Sequence, residues 1–477
     1  MADPPTVSAE SLRFAPIATA AAAIRSGAVS PTELTEAALA RITAVDPVLH
    51  SFVLVTADLA RAQAARAEEE LAVGVDRGPL HGIPVGLKDL YATKGIRTTA
   101  HSRVLIDWIP GEDASAVVRL REAGAVLLGK HGMAEFAFGG PASDGVFPAP
   151  RNPWNLEHEP GGSSSGSGAS VAAGLCFGAL GSDTGGSIRK PASHCGIVGL
   201  KPTWGRVSRY GVVPLAWSLD HAGPLARTVD DAAILLGAIA GPDPRDPSAS
   251  GEPVPNYRAG LEHGVRGLRL GVAWDWVHEM GTIDPDVLAA FEAALGVLEA
   301  EGAEVVPIPS AALIAGRSTN TLIITAEAYA YHEAGLREHP ERYGRSVRGR
   351  FRGGAFIGAA DYLAANRART VLRAQVREIL EGVDVIASPT CARPPEPLAG
   401  LDPDARFREP SFVNPYNVLG TPAISVPCGF TSTGLPIGLQ IAAGPFEESL
   451  VLRVARAYER ATPWHDRHPS PERDGGI

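Results

Sequence analysis

The chain has 477 residues, 45% of them hydrophobic and 20% charged, ordinary values for a folded soluble protein and enough for a large core. Its formal net charge of −10 argues against non-specific binding to nucleic acid or to an anionic membrane, both of which select a basic face. Four cysteines without a CxxC or Cys/His metal spacing exclude a disulfide framework and a zinc module, and they point to a reducing, cytoplasmic setting.

The first apolar stretch, residues 17–24, is only weakly apolar. Asp3 and Glu10 precede it where a secretory leader would carry basic residues, so a first helix is expected there. Ser30-Pro31-Thr32-Glu33 carries three agreeing start signals: a capping serine, a proline at the first helical position and a glutamate that completes a capping box. Leu34, Ala38 and Ile42 then repeat at helical spacing. Short apolar runs at 83–87, 126–128, 268–273, 305–308, 383–387 and 423–426 read as strands. Between them, Leu288, Phe291, Leu295 and Leu298 form one helical stripe ended by Gly302. Ala364, Ala368, Leu372, Val376 and Ile379 form another, ended by Gly382. Strands alternating with helices predict one large α/β domain over residues 1–470, with a mixed twisted sheet covered by helices on both faces. Residues 241–267, rich in Pro, Gly, Asp and Ser, read as a long surface connection. Residues 471–477 are expected to fray. No stretch approaches the roughly 20 apolar residues of a membrane helix.

Two motifs mislead. Gly124-Ala125-Val126-Leu127-Leu128-Gly129-Lys130-His131 nearly matches a phosphate-binding loop, but His131 stands where the Mg²⁺-ligating Ser/Thr belongs and the middle is an apolar strand. Gly162-Ser163-Ser164-Ser165-Gly166 formally satisfies G-x-S-x-G, but the polar, proline-broken segment before it offers no strand for a nucleophile elbow. That reading would also need a downstream histidine; His194 and His221 are available.

Two glycine-rich serine segments carry the chemistry. Gly161-Gly162-Ser163-Ser164-Ser165-Gly166-Ser167-Gly168 has the composition of a linker yet is flanked by ordered signals. Gly181-Ser182-Asp183-Thr184-Gly185-Gly186-Ser187-Ile188-Arg189 could turn successive N–H groups toward one point, as an oxyanion hole does, or could simply be a turn into a helix capped by Ser187. Serine needs a base, and lysine can serve when desolvation keeps it neutral. Lys88 closes an apolar run; it suits that role, or that of a surface lysine paired with Asp89.

Together these segments resemble the amidase signature family. The resemblance runs through 160–201, 205–211 and 218–224, and it returns at 420–427 and 434–440. It implies that Ser187 is the acylated nucleophile, Ser163 the bridging serine after a cis peptide bond from Gly162, and Lys88 the base. It implies an oxyanion hole from the N–H groups of Thr184, Gly185, Gly186 and Ser187. Asp183 and Arg189 would form a supporting pair behind that turn, and Ser182 would hold Ser163 from behind. Phe136, Ala137, Phe138, Gly139 and Gly140 match the loop lining the acyl pocket; the same apolar loop would also suit a core position for both phenylalanines. The family often has Gln where Lys190 stands, and Gly where Ser165 stands.

The expected enzyme is therefore a serine amidohydrolase of linear amides, needing no metal and no cofactor. Apolar or aryl amides, and aryl carbamates or esters, are its expected substrates. A glutamine-hydrolysing component of a tRNA-dependent amidotransferase is the alternative. Such components resemble one another in an Asp about five residues before Pro415; here Pro410 stands at that place with Glu409 beside it, which favours the stand-alone reading. No nucleic-acid or membrane partner is expected, a homodimer stays open, and the variable region 241–410, chiefly 311–380, is expected to set specificity. No cysteine is expected beside a candidate base, so alkylation should spare activity.

Overall fold

A computed structural model of the chain describes residues 8–279, 283–402 and 411–471. The strands are β1 (Phe52–Val55), β2 (Pro84–Lys88), β3 (Val126–His131), β4 (Gly178–Asp183), β5 (Val198–Lys201) and β6 (His221–Ala226). β7 (Arg269–Val272), β8 (Glu304–Pro307), β9 (Val385–Pro389), β10 (Ala423–Phe430) and β11 (Pro436–Ala442) follow. Among the described residues these eleven form one sheet, in the order β1-β3-β2-β4-β6-β5-β10-β11-β9-β7-β8. The six apolar runs correspond to β2, β3, β7, β8, β9 and β10. β2 runs parallel to β3 and β4, and β7 parallel to β8 and β9. The middle, from β4 to β9, is antiparallel. The sheet is thus mixed, as the alternation predicts.

Period-two alternation sorts side chains to two faces. Val126, Leu128, Ala179 and Leu225 pack with Leu39, Ile42 and Val45 of helix Pro31–Leu49 and with Val171 of helix Ser165–Ala172. Leu127 and Leu180 belong to the opposite cluster, with Leu236 of helix Val229–Ile239 and Val451 of helix Glu448–Ala461. Helices therefore cover both faces. Burying a side chain such as Phe291 or Leu298, both fully buried, stabilises the fold by about 1.5–3 kcal/mol.

Local signals hold in detail. Ser30 Oγ accepts the Glu33 N–H at 3.1 Å while Glu33 Oε2 accepts the Ser30 N–H at 2.8 Å, with Pro31 opening the helix. Residues 17–24 lie in helix Ile17–Arg25. Helix Ala359–Gly382 buries Leu372 and Val376 of the expected stripe, but Ala365 and Arg369 in place of Ala364 and Ala368. Ala364 is exposed, because Arg369 turns inward and donates to the Val418 carbonyl at 2.9 Å. Residues 241–267 are irregular and pinned by buried Tyr257, Leu261 and Val265. The sheet continues on either side, as expected of a connection within one domain. Of the tail expected to fray, only Pro471 is described. No helix among the described residues is long and apolar enough to cross a membrane.

Candidate active site

β2 ends at Lys88, which is fully buried. The pairing of Leu87 with Leu180 sets Lys88 beside the end of β4, where Ser182 stands. Lys88 Nζ donates to Ser182 Oγ at 2.8 Å and to Ser163 Oγ at 2.7 Å. Ser163 comes from the Gly/Ser loop ahead of helix Ser165–Ala172, its carbonyl accepts the Ala134 N–H at 3.0 Å, and the Gly162–Ser163 bond is cis. Burial pushes the Lys88 ammonium down to about 7, against a weaker upward pull from Asp183 and Asp220. Asp89 is not its partner: that carboxylate accepts from Thr99 and lies 3.6 Å from Lys130 Nζ.

The second serine segment leaves the sheet at β4 and turns into helix Arg189–Cys195. Asp183 organises the turn. Its carboxylate accepts the N–H groups of Gly186 at 2.7 Å and Ile188 at 3.1 Å, and the Arg189 guanidinium at 2.9 and 3.0 Å. Burial alone would raise Asp183, but Arg189 holds it well below the usual carboxylate range. Arg189 also donates to the Val413 carbonyl, Gln440 Oε1 and Asn417 Oδ1. Gly186 has φ +108°, and a Cβ there would lie 2.3 Å from Val413 Cγ2, so both backbone and space demand glycine. Its N–H is occupied by Asp183. This leaves Thr184, Gly185 and Ser187 as the members of the expected donor set that line the open pocket. Thr184 is oriented by its hydroxyl bond to Asp220 at 2.6 Å. The Ser187 carbonyl accepts the Ser164 N–H at 3.2 Å, tying the two serine loops together.

The pocket above these groups spans about 660 Å³ counting its open mouth, of which about 70 Å³ is enclosed space. A Cβ on Gly162 would lie 2.6 Å from Gly140 Cα, so the serine loop presses directly on the 136–140 loop. Ala137, Phe138 and Gly139 line the pocket as expected; Phe136 does not. Phe136 packs against His332, Tyr343 and Phe351 with ring centroids 4.3, 5.9 and 6.2 Å away. Phe136 and Ala137 both have positive φ, which turns consecutive side chains in ways that strand or helix parity cannot foretell. The 136–140 loop adds nothing ionic to the pocket, but other segments do. Lys190, Arg317, Asn320, Thr321 and Asn414 share its wall with Leu215 and Ile324. Asn414 donates to Asn320, which donates to the Thr184 carbonyl at 3.0 Å.

Residues 33–452 match the family model described as Amidase. The chain belongs to the amidase family. It is 44% identical over 475 residues to a glutamyl-tRNA(Gln) amidotransferase subunit from Roseiflexus sp. (strain RS-1), covering 94% of this chain and 96% of that protein. A solved structure described as a vestigial protein complex revealing the origins of an s-triazine catabolic enzyme superposes with TM-score 0.87. It is 35% identical, over 93% of this chain and 98% of the other. Native peptide amidase from Stenotrophomonas maltophilia gives TM-score 0.84 at 32% identity, over 97% and 99%. The chain is therefore an amidase-family hydrolase of carbon–nitrogen bonds in the amidase signature fold.

Other features of this amidase-family chain fall into place around that site. The near phosphate loop is β3, and Lys130 is buried on it against the Tyr91 carbonyl at 2.5 Å and the Thr98 hydroxyl at 2.7 Å. Ser164 and Ser165 are buried, with no strand leading into them. His221 is buried, driven well below its usual range by burial, and lies against the carbonyls of Asp183 and Leu219. Cys176, Cys195 and Cys428 are buried thiols. Cys391 is only partly buried and shares a second pocket with His194, which overturns the expectation that no cysteine has a base beside it. Glu409 and Pro410 lie outside the described residues.

Proposed function

We propose that this chain hydrolyses the terminal amide of a small carboxylate-bearing substrate of glutamine type through an acyl-enzyme on Ser187. Ser187 Oγ attacks the carbonyl, its proton passes to Ser163, and Ser163 gives its own to neutral Lys88. The developing oxyanion is met by N–H groups of the 184–187 turn. The Lys88 ammonium then protonates the departing nitrogen through Ser163, and water reverses the relay to free the acid. The Lys88–Ser163 bond at 2.7 Å, made by a lysine whose burial brings it to about 7, carries this reading.

Lys190 and Arg317 in the pocket wall favour a carboxylate on the substrate, and the asparagines favour polar groups beside it. The amidotransferase relatives at 44% identity point the same way, and a partner protein is then expected to use the ammonia. The Ala137, Phe138, Leu215 and Ile324 side of the pocket and the likeness to peptide amidase support a second reading, a stand-alone amidase of uncharged amides. Measuring kcat/KM for glutamine and for an uncharged anilide on the isolated chain decides. Glutamine is expected to win, and Arg317→Ala to erase most of its advantage. An anilide preference untouched by Arg317→Ala would overturn the first reading in favour of the second.

A further inference from the structure

Beside the substrate pocket, and sharing Lys190 with it, lies a smaller pocket of about 510 Å³ counting its mouth. Three chemistry-bearing side chains converge there from distant parts of the chain. Glu159 precedes the Gly/Ser loop, His194 sits in helix Arg189–Cys195, and Cys391 follows β9. Asn152 Nδ2 clamps the first two segments by donating to the carbonyls of His194 at 2.8 Å and Glu159 at 3.1 Å. His194 Nδ1 lies 2.9 Å from Glu159 Oε1, while Glu159 Oε2 accepts the Gly161 N–H at 2.7 Å. His194 is 7% exposed, and both of its ring nitrogens are buried with no hydrogen-bond partner among the described residues. A carboxylate thus stands at ion-pair distance from an imidazole, and the imidazole sits with a partly exposed thiol in one cavity. That is the arrangement by which a histidine activates a cysteine.

We propose that Cys391 is a nucleophilic thiol, activated by His194 and Glu159, that takes small soft electrophiles at a site separate from the amide chemistry. The charged and titratable groups facing it in the cavity are Glu159, Lys190, His194, Arg393 and Glu396. Burial alone would raise the thiol, but the positive charges of His194 and Lys190 overcome it and hold Cys391 below the ordinary thiol value. Burial alone would likewise lower His194; Cys391 and Glu159 reverse this and bring it to about 10. Thiolate and imidazolium, where they form, therefore stabilise each other. In the reaction the sulfur lone pair forms an S–C bond to the electrophilic carbon, and the leaving group departs with the electron pair of the bond it loses. The thiolate is the reacting form, its proton having passed to His194 or to solvent before the S–C bond forms.

The test is iodoacetamide labelling of the native full-length protein across pH 5–9, with each cysteine followed by mass spectrometry. Cys391 is expected to label first, about tenfold faster at pH 7 than in the urea-unfolded chain. Its midpoint should fall below the ~8.5 of a free thiol. The other three cysteines should stay unlabelled while the protein is folded. His194→Gln is expected to raise the Cys391 midpoint by at least about one unit and slow its labelling about tenfold at pH 7. Folding of that variant is checked by circular dichroism. If it does not fold, the native-to-unfolded rate ratio of the unaltered protein decides alone. Labelling of Cys391 no faster than in the unfolded chain, or a midpoint unmoved in folded His194→Gln, would overturn the proposal.

Discussion

Lys88 and Lys130 stand on neighbouring strands, and both are fully buried ammonium groups. Burial lowers both, Lys88 to about 7 and Lys130 to about 8. Their partners differ in kind. Lys88 faces two hydroxyls, Ser163 and Ser182, and no carboxylate lies within ion-pair distance among the described residues. Lys130 faces a carbonyl, the Thr93 and Thr98 hydroxyls and the Asp89 carboxylate at 3.6 Å. A hydroxyl accepts from an ammonium and can donate to a neutral amine, so the Lys88 site is satisfied in both protonation states. A carbonyl or carboxylate can only accept, so at Lys130 the added Tyr91 carbonyl and Asp89 carboxylate favour the ammonium despite the two hydroxyls. Burial alone does not make a base; the donors and acceptors around it decide whether the proton can leave.

The sharpest break of this comparison removes the proton acceptor. Lys88→Arg and Ser187→Ala are each expected to lower kcat by at least about 10³-fold, since arginine cannot give up its proton and the covalent route needs Ser187. An active Lys88→Arg enzyme would contradict the role of Lys88 as base. Lys130→Met should act on stability instead. Leaving Asp89 buried and uncompensated costs about 3–5 kcal/mol, to be read from urea unfolding, while kcat per folded molecule stays within about threefold.

A pH series separates the two lysines further. With Lys88 neutral as the active form, kcat/KM should rise with pH through an apparent value near 7. The unfolded chain still holds this proton up to about 10.4, so between 7 and that value it binds more protons than the native state. The contribution of Lys88 to stability therefore increases with pH across that window, and Lys88→Met should flatten it. Stability falling with pH there, with Lys88→Met steepening the fall, would count against a depressed native value. The smallest effect is expected from Ser182→Ala: about a tenfold loss in kcat and a shifted pH midpoint, because Ser163 still accepts from Lys88.

Much of this was legible from residues alone. The capping box at Ser30 is written in four consecutive letters, and β2, β3 and β10 are apolar runs that need no distant information. The two serine segments stand out because glycine-rich turns inside apolar framework are chemically conspicuous, whereas Lys88 took its expected role from the family resemblance. What escaped depends on convergence. Arg317 and Asn320 reach the pocket from helix Ala311–Glu338, and Asn414 from helix Asn414–Leu419, with nothing local to mark them. β4 and β6 are strands rich in glycine and polar residues, whose shape comes from their neighbours. Arg369 hides a helical stripe because its charge masks a buried position. Phe136 and Phe138 diverge through backbone turns that no periodicity encodes.

Arg189 gives the molecule a temporal order. The first 190 residues to leave the ribosome already contain Lys88, Ser163 and Ser187. The Arg189 guanidinium, however, divides its hydrogen bonds between Asp183 and residues from the other end of the chain: the Val413 carbonyl, Asn417 and Gln440. A buried cation with half its partners missing is costly, so the turn that carries Ser187 cannot settle while those partners are still being synthesised. On the proposed mechanism, Ser187 is then expected to stay unarmed in the growing polypeptide until the final strands dock.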